Sequence, residues 1–374
     1  MGYVLISFLS WLILRFLVLR RLPCGRPART ILSCLFFLPI LYYAYLQASC
    51  FIVLPEPSFG TAILMGAWCG TVLIAAPPAS AGVLCLMRFG RKKPMRRVGA
   101  GACLIFSLFF SSVLVLCGLR EGLSVPSVQE VSVNLPAGCD ALDGIRMAVI
   151  SDLHLGCATP PGWLEETLRR IKEARADIIL LDGDLSDGRP EDRRSDLARL
   201  GTLEAPLGVW AVPGNHEYYV DYAGIMAALP DSVHVLANSH AKLRTSRGTF
   251  VLAGVTDRKA RARGLPGPDI EKALSGLSGD GAIGPVLLMS HRPAGWSRNA
   301  ARGVVLQICG HTHGGQFIWN RLFLRLIGRR YLHGLFERKS SLLWVGSGAS
   351  QWFGFPLRVG VPPEIAVLNL HAGS

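Results

Sequence analysis

Long apolar runs dominate the first third of the chain. Three of them, residues 31–54, 59–87 and 98–119, contain no charged residue, and each is long enough to cross about 30 Å of hydrocarbon as a helix. A shorter run at the N-terminus contains Arg15, whose long side chain can reach toward the membrane surface. We therefore predict an all-α transmembrane domain of about four helices in residues 1–119, with spans near residues 3–19, 31–54, 59–87 and 98–119.

Other interpretations of these runs stay open. The first run could be a secretory signal peptide, although it lacks a positively charged start and Arg15 interrupts it. It could also lie flat at the interface, and Pro77 and Pro78 could turn the third run into a re-entrant hairpin. A buried, soluble helix bundle is the remaining alternative.

The pattern changes after residue 120, where short apolar runs alternate with amphipathic stretches. This alternation is typical of an α/β domain. We expect a linker and a leading strand in residues 120–144 and the α/β domain in residues 145–374. The predicted strands are residues 146–151, 178–181, 209–212, 250–255, 286–290, 304–309, 342–345 and 365–370. The predicted helices are residues 163–175, 192–204, 222–229 and 268–277.

Composition and charge narrow the classes of protein that fit. Half of the residues are hydrophobic and 17% are charged, which excludes a disordered chain and disfavours a wholly solvated one. The net charge of +13 would suggest a nucleic-acid partner, but residues 1–119 contain 11 basic residues and only one acidic residue, Glu56. The remaining residues are close to balanced at +3, so we expect no nucleic-acid partner.

The basic residues of the apolar region lie in the connections between the runs. Arg20, Arg21, Arg26 and Arg29 fill the first connection, and six basic residues at positions 88–97 fill the third. Short loops rich in Lys and Arg stay in the cytoplasm. Four spans in a cell membrane would therefore place the N-terminus and the α/β domain outside, whereas an odd number of spans would place that domain in the cytoplasm.

Polar residues of the metal-ligand type follow five predicted strands. The first three groups are Asp152-x-His154, Gly183-Asp184 and Gly214-Asn215-His216-Glu217. The last two are His291 and Gly310-His311-x-His313. Open α/β sheets bind ligands at the carboxyl ends of their strands, so these groups can converge.

Carboxylate, amide and imidazole donors together suit Mn²⁺, Fe or Zn²⁺. Seven candidates exceed the coordination of one ion, and a carboxylate such as that of Asp184 can bridge two ions roughly 3.5–4 Å apart. We expect two divalent metal ions, with Mn²⁺ favoured. The candidate metal ligands are Asp152, His154, Asp184, Asn215, His291, His311 and His313.

The full series of motifs resembles the calcineurin-like metallophosphoesterases over about residues 145–370, and no ligand position departs from their pattern. Within that family, the chain is similar to the membrane-associated bacterial branch, which is itself similar to transmembrane proteins with a metallophosphoesterase domain. The features that carry this similarity are the apolar N-terminal region, Gly314-Gly315-Gln316 and Pro362-Pro363-Glu364-Ile365.

The resemblance implies a four-layer α/β/β/α sandwich with a dinuclear site at one edge of its sheets. One metal ion would be held by Asp152, His154 and His313, the other by Asn215, His291 and His311, and Asp184 would bridge them. His216 corresponds to the family's catalytic histidine, which contacts the phosphate or protonates the leaving group. We expect Asp152 to orient His216.

The expected activity is hydrolysis of a phosphodiester or pyrophosphate bond by metal-activated hydroxide. The substrate is expected to be a lipid-linked phosphate, and hydrolysis of UDP-2,3-diacylglucosamine is one candidate, although that substrate is cytoplasmic. The alternative is a non-catalytic membrane sensor that binds metal or phosphate. The sequence leaves the oligomeric state open.

Three further features bear on this activity. We expect Asp187 to be a solvated turn residue, with a supporting role near the ligands as the alternative. Arg292 either meets the substrate phosphate or lies on the surface. Residues 321–330 mix arginines with large apolar side chains, which suits contact with membrane lipids.

Overall fold

The computed structural model describes residues 2–49, 56–89, 93–277 and 284–373. The chain divides into two compact units. The helical unit comprises Met1–Glu121 together with Gly354–Leu357, and the α/β unit comprises Gly122–Phe353 and Arg358–Ser374.

Four helices form the helical unit: α1 (Gly2–Ile13), α2 (Arg26–Ala48), α3 (Phe59–Phe89) and α4 (Lys93–Gly122). In the described residues, three stretches are long and apolar enough to cross a membrane, namely Arg26–Ala48, Phe59–Phe89 and Pro94–Gly122. Residues 50–54 of the predicted second span lie outside the described residues. Helix α3 continues through Pro77 and Pro78, so the re-entrant hairpin is wrong.

The first apolar run does not form one regular helix over residues 3–19. Helix α1 ends at Ile13, and the chain continues as a π-helical turn (Leu14–Val18) and a 3₁₀ turn (Leu19–Arg21). Arg15 lies in the π-helical turn, where its guanidinium donates to Ser33 Oγ at 2.8 Å. The helical path still continues from residue 2 to residue 21, but its geometry is irregular around the arginine.

Two six-stranded sheets form the centre of the α/β unit. The first sheet contains β1 (Ser127–Ala137), β2 (Arg146–Ile150), β3 (Ile178–Asp182), β4 (Val209–Val212), β5 (Val233–Val235) and β12 (Glu364–Gly373), in the order β1-β12-β2-β3-β4-β5. The second sheet contains β6 (Ser239–Thr245), β7 (Gly248–Gly254), β8 (Val286–Met289), β9 (Val304–Cys309), β10 (Gly334–Arg338) and β11 (Ser341–Val345), in the order β10-β11-β9-β8-β7-β6. All eight predicted strands are present, and β5, β6 and β10 were not predicted.

The two sheets bury an apolar core between them. On β2, Met147 and Val149 face this core, while Ala148 and Ile150 face the helices on the other side of the sheet. This alternation follows from the two-residue period of a strand. The helices of the unit are α5 (Trp163–Glu173), α6 (Pro190–Ala198), α7 (Tyr222–Ala227), α8 (Ile270–Ala273), α9 (Trp296–Ala300) and α10 (Ile318–Leu326).

Helices cover the outer faces of both sheets. Leu168 and Ile171 of α5 pack in the cluster that contains Ile179 of β3. Ala273 of α8 packs in the cluster that contains Val251 of β7. The order helix, sheet, sheet, helix confirms the predicted four-layer sandwich.

Strand direction decides where functional side chains meet. Strands β2, β3 and β4 are mutually parallel, and so are β7, β8 and β9. The carboxyl ends of parallel strands lie at the same edge of a sheet. Each of the five polar groups identified in the sequence follows one of these strands.

Candidate metal centre

The structure brings the predicted ligand side chains together. Donor atoms within 4.8 Å of one another form three overlapping groups. Asp184 belongs to two of these groups and His154 belongs to two, so each group shares a side chain with another. The three groups are Asp152, His154 and His313; His154, Asp184 and His216; and Asp184, His291 and His311.

Individual distances give the shape of the cluster. Asp184 Oδ2 lies 3.1 Å from His291 Nε2 and 3.8 Å from His154 Nε2. On the side of Asp152, its Oδ1 lies 3.3 Å from His313 Nε2. Asp184 therefore lies between His154, which follows β2 of the first sheet, and His291, which follows β8 of the second sheet.

Five of the seven candidate ligands adopt left-handed backbone conformations. Non-glycine residues rarely do so, and each such residue costs of order 1–3 kcal/mol unless its surroundings enforce it. The sheet edge therefore holds a strained arrangement that directs donor side chains inward. The five φ angles are 56° at Asp152, 42° at His154, 51° at Asp184, 67° at His311 and 47° at His313.

Glu217 fixes the loops that follow β3 and β4. Its buried carboxylate accepts hydrogen bonds from the backbone N–H groups of Asp184 at 3.1 Å, Leu185 at 2.7 Å and Gly214 at 2.7 Å. The adjacent Gly183 has φ +79°, and a Cβ there would lie 2.6 Å from the Gly214 nitrogen. A side chain at residue 183 would force these loops apart, which explains the glycine.

Hydrogen bonds orient two imidazoles with their Nε2 atoms toward the cluster. His291 Nδ1 lies 2.7 Å from the carbonyl oxygen of Asp182, and His313 Nδ1 lies 3.2 Å from that of Ser350. A carbonyl oxygen only accepts hydrogen bonds, so we assign the ring proton to Nδ1 in both residues. Nε2 is then the ring nitrogen available to a metal ion, which would replace any proton held there, and this is the arrangement of metal-binding histidines.

Asp187 contacts two of the site histidines, so the expectation of a solvated turn residue is wrong. Its Oδ1 lies 2.5 Å from His216 Nδ1 and 3.3 Å from His154 Nδ1. The carboxylate that orients His216 is therefore Asp187 instead of the expected Asp152. The sequence carried one signal for it, because Asp187 follows Asp184 by three positions in the same loop.

The electrostatics favour ionised carboxylates in the cluster. Burial opposes ionisation of Asp152 and Asp184, but the nearby His313 and His291 respectively outweigh it and hold the pKa of each carboxyl well below its usual range. Burial also lowers the pKa of His154, yet Asp187 reverses this effect and raises it to about 9. The metal-free cluster thus compensates buried negative charge with protons on His154 and on His291, whose pKa nearby carboxylates also raise, whereas burial lowers the pKa of His311 and of His313.

Arg292 lies beside the candidate ligands, so its predicted surface position is wrong, and its contact with a substrate phosphate stays a prediction. Its guanidinium lies 2.6 Å from Asn215 Oδ1 and 2.5 Å from His311 Nε2. The opposite side of the guanidinium forms an ion pair with the buried Asp257. Neither Asp257 nor the fully buried Arg358, whose guanidinium lies 3.3 Å from His313 Nδ1, was predicted from the sequence.

The donor set fits divalent cations. Oxygen and imidazole donors without thiolates suit Mn²⁺, Fe or Zn²⁺. Buried carboxylates close to lone pairs of imidazole nitrogens need positive charge between them, because unpaired buried charge is costly. Divalent cations can supply that charge in place of the histidine protons.

Comparisons with known proteins agree with this chemistry. Residues 145–315 match the family model described as calcineurin-like phosphoesterase. An uncharacterized metallophosphoesterase of Aquifex aeolicus is 31% identical over 246 residues, which cover 63% of this chain and 87% of the relative. This chain belongs to the calcineurin-like phosphoesterase family. Members are metal-dependent phosphoester hydrolases, so the family implies divalent metal ions at this cluster.

Two other relatives of this phosphoesterase are longer than the matched region. An uncharacterized metallophosphoesterase of Helicobacter pylori is 34% identical over 257 residues, 68% of this chain and 66% of the relative. A transmembrane protein with metallophosphoesterase domain from Danio rerio is 30% identical over 276 residues, 71% of this chain and 62% of the relative. The chain therefore spans just under two thirds of these two relatives. Together with the three apolar helices, the second relative supports association with a membrane.

Replacing Asp187 with asparagine tests whether this carboxylate supports metal binding. We expect Asp187→Asn to weaken Mn²⁺ binding by about 10–100-fold, because His154 and His216 lose the charged acceptor that orients them. Titration calorimetry on metal-stripped protein measures this change. Asp231→Asn, at an exposed turn, is the matched control and should bind Mn²⁺ like the unmodified chain. Unchanged Mn²⁺ affinity in Asp187→Asn would contradict the assignment.

Proposed function

We propose that this chain hydrolyses a phosphodiester or pyrophosphate bond in a lipid-linked substrate at a membrane. The observation that carries the proposal is the convergence of carboxylate and imidazole donors around the shared carboxylate of Asp184. Phosphodiesters and diphosphates are anionic and repel anionic nucleophiles, so their hydrolysis needs a strongly cationic site. The family membership supports hydrolysis, and the choice of bond and of substrate is our proposal.

Two divalent ions, with Mn²⁺ favoured, would occupy the cluster. Asp152, His154 and His313 would hold one ion, Asp184 would bridge, and the second ion would be held by Asn215, His291 and His311. Bound divalent cations lower the pKa of water and neutralise charge on a phosphate. Arg292 now contacts Asn215 and His311, so it would have to yield those atoms to the second ion.

His216 is the proposed general acid. In the reaction, the oxygen of water forms a bond to phosphorus and water releases a proton to the solvent. The bond to the leaving oxygen breaks, and that oxygen takes a proton from His216, which regains one from the solvent. His216 Nε2 faces the cluster, 3.9 Å from Asp184 Oδ2, and its Nδ1 is held by Asp187. The ring can therefore present a proton from Nε2 on the side where substrate would lie.

Comparing leaving groups tests this role of His216. We expect His216→Ala to reduce turnover of an alkyl phosphodiester by about 10²–10⁴-fold, because its leaving oxygen needs a proton. Turnover of bis-p-nitrophenyl phosphate should fall less, because p-nitrophenolate leaves without one. Metal content, measured by mass spectrometry, should stay at two ions per chain, and His371→Ala, at an exposed position of β12, serves as the control.

An equal fall on both substrates would rule out the acid role. No turnover of bis-p-nitrophenyl phosphate by the unmodified chain with added Mn²⁺ would instead favour the non-catalytic sensor.

Helix α10 supports a lipid-linked substrate. Leu322, Phe323 and Leu326 are 55%, 56% and 85% exposed, and arginines alternate with these apolar side chains. This combination suits the boundary between anionic headgroups and acyl chains. Arg321 of the same helix donates to the carbonyl oxygen of Gly314, the residue after His313, at 2.9 Å. A lipid-contacting helix is thus joined to a loop of the metal centre.

Charge on the apolar face of α10 tests this contact. We expect the double variant Phe323→Glu/Leu326→Glu to raise KM about tenfold or more for a long-chain alkyl p-nitrophenyl phosphodiester in phosphatidylglycerol vesicles, because burying the new charges at the interface is unfavourable. KM for soluble bis-p-nitrophenyl phosphate should change much less. Leu265→Glu, at another exposed leucine, is the control. Parallel changes in both KM values would exclude a membrane role for α10.

We further propose four membrane-crossing segments with the α/β unit outside the cytoplasm. The irregular first segment supports this count, since Leu14, Val18 and Leu19 are buried in the same apolar cluster as Phe36 and Val72. A segment lying flat on the surface would not bury these side chains among the other helices. An outward site would meet exported lipids, whereas UDP-2,3-diacylglucosamine would require a cytoplasmic site.

Reporter fusions after residue 374 test this topology. We expect alkaline phosphatase fused there to be active, because it folds only outside the cytoplasm, and green fluorescent protein to be dark after export. Both fusions are measured on the full-length chain in intact bacterial cells. Fluorescence with inactive phosphatase would place the site in the cytoplasm and restore the nucleotide-linked lipid as a candidate.

A further inference from the structure

A cavity of about 450 Å³ lies beside the metal centre. His311 forms part of its wall, so the cavity is continuous with a candidate metal ligand. Four arginines, Arg258, Arg292, Arg329 and Arg330, also line it, and Leu324 of α10 adds an apolar surface. We call this feature the arginine cavity.

Arg292 connects the arginine cavity to the ligand cluster. Its guanidinium contacts Asn215 and His311 on the cluster side, and Asp257 compensates its charge. A phosphate positioned at the cluster would therefore lie next to this guanidinium. Any group attached to that phosphate on the side of His311 would enter the arginine cavity.

The charge in the cavity has one sign. None of the described residues that line it is acidic. Arg258, Arg329 and Arg330 are exposed, and they form no ion pair with the part of the chain that the structure describes. Three uncompensated guanidinium groups around one cavity attract an anion of more than one charge, and their planar donors match phosphate oxygens.

We propose that the arginine cavity binds a second phosphate group of the substrate, the one adjacent to the phosphate that is attacked. This inference rests on the proposed function and narrows it to diphosphate-containing substrates. A cavity of about 450 Å³ accommodates a phosphate and several attached carbon atoms, and Leu324 provides an apolar contact for the latter.

The test compares substrates with one phosphate and with two. Full-length protein with Mn²⁺ is assayed on bis-p-nitrophenyl phosphate and on UDP-glucose, a soluble diphosphate diester. The variants are Arg258→Gln and the double variant Arg329→Gln/Arg330→Gln. Arg244→Gln, at an exposed arginine of β6 that does not line the cavity, is the matched control.

We expect the ratio of kcat/KM for UDP-glucose to kcat/KM for bis-p-nitrophenyl phosphate to fall at least about tenfold in both cavity variants, mainly through KM. The control should keep the ratio of the unmodified protein. Unchanged ratios in the cavity variants, or no hydrolysis of UDP-glucose by a protein that hydrolyses bis-p-nitrophenyl phosphate, would overturn the inference and leave the proposed function standing.

A binding measurement separates the two proposals. Titration of metal-stripped protein with methylenediphosphonate should give a Kd that rises at least about tenfold in the cavity variants and stays constant in Arg244→Gln. If the protein hydrolyses neither substrate, the proposed function fails, and this arginine-dependent binding alone decides whether the cavity takes a diphosphate. Equally tight, arginine-dependent binding of inorganic phosphate would overturn the inference, because a single phosphate would then suffice.

Discussion

Buried negative charge is the constraint on which the site depends. Asp152 and Asp184 are buried in one cluster at the edge of the sheets, where water cannot compensate their charge, and the partly buried Asp187 lies beside them. Such charges are tolerated only with nearby cations or hydrogen-bond donors. The histidines surround the carboxylates for this reason, and the two sheets must meet at this edge because each supplies part of the compensation.

Much of this arrangement could be predicted from the sequence. Each ligand-type group follows a short apolar run, and parallel strands bring their carboxyl ends to one edge, so the pattern indicated that Asp152 and Asp184 could converge. His311 follows a strand of the second sheet, and only the family resemblance implied that the two sheets meet at this edge. The central strands were predicted because burial on both faces makes them continuously apolar. The length of the three charge-free apolar runs predicted the three regular apolar helices.

Other features depend on contacts that no local pattern records. Asp187 belongs to the site because the imidazoles of His154 and His216 approach its carboxylate. The guanidinium of Arg358 approaches His313 from a segment whose sequence shows no periodicity. The edge strands β5, β6 and β10 are short or carry polar residues along much of their length, so their pattern resembles that of loops. The sequence did not show whether the residues of α10 form a helix or a loop, because none of them is buried in a core.

The left-handed backbone at five ligand positions has a consequence for the stability of the chain. These conformations are held by the surrounding loops against a local preference for other geometries. At such positions the donor atom belongs to the candidate metal centre, while the Cβ of the same residue disfavours the backbone conformation that the fold requires. Glycine at His311 would relieve the backbone and remove the donor, whereas glycine at Asp184 would also remove the acceptor of the backbone N–H of His216. Loss of a candidate ligand such as His311 would therefore make the metal-free fold easier to form.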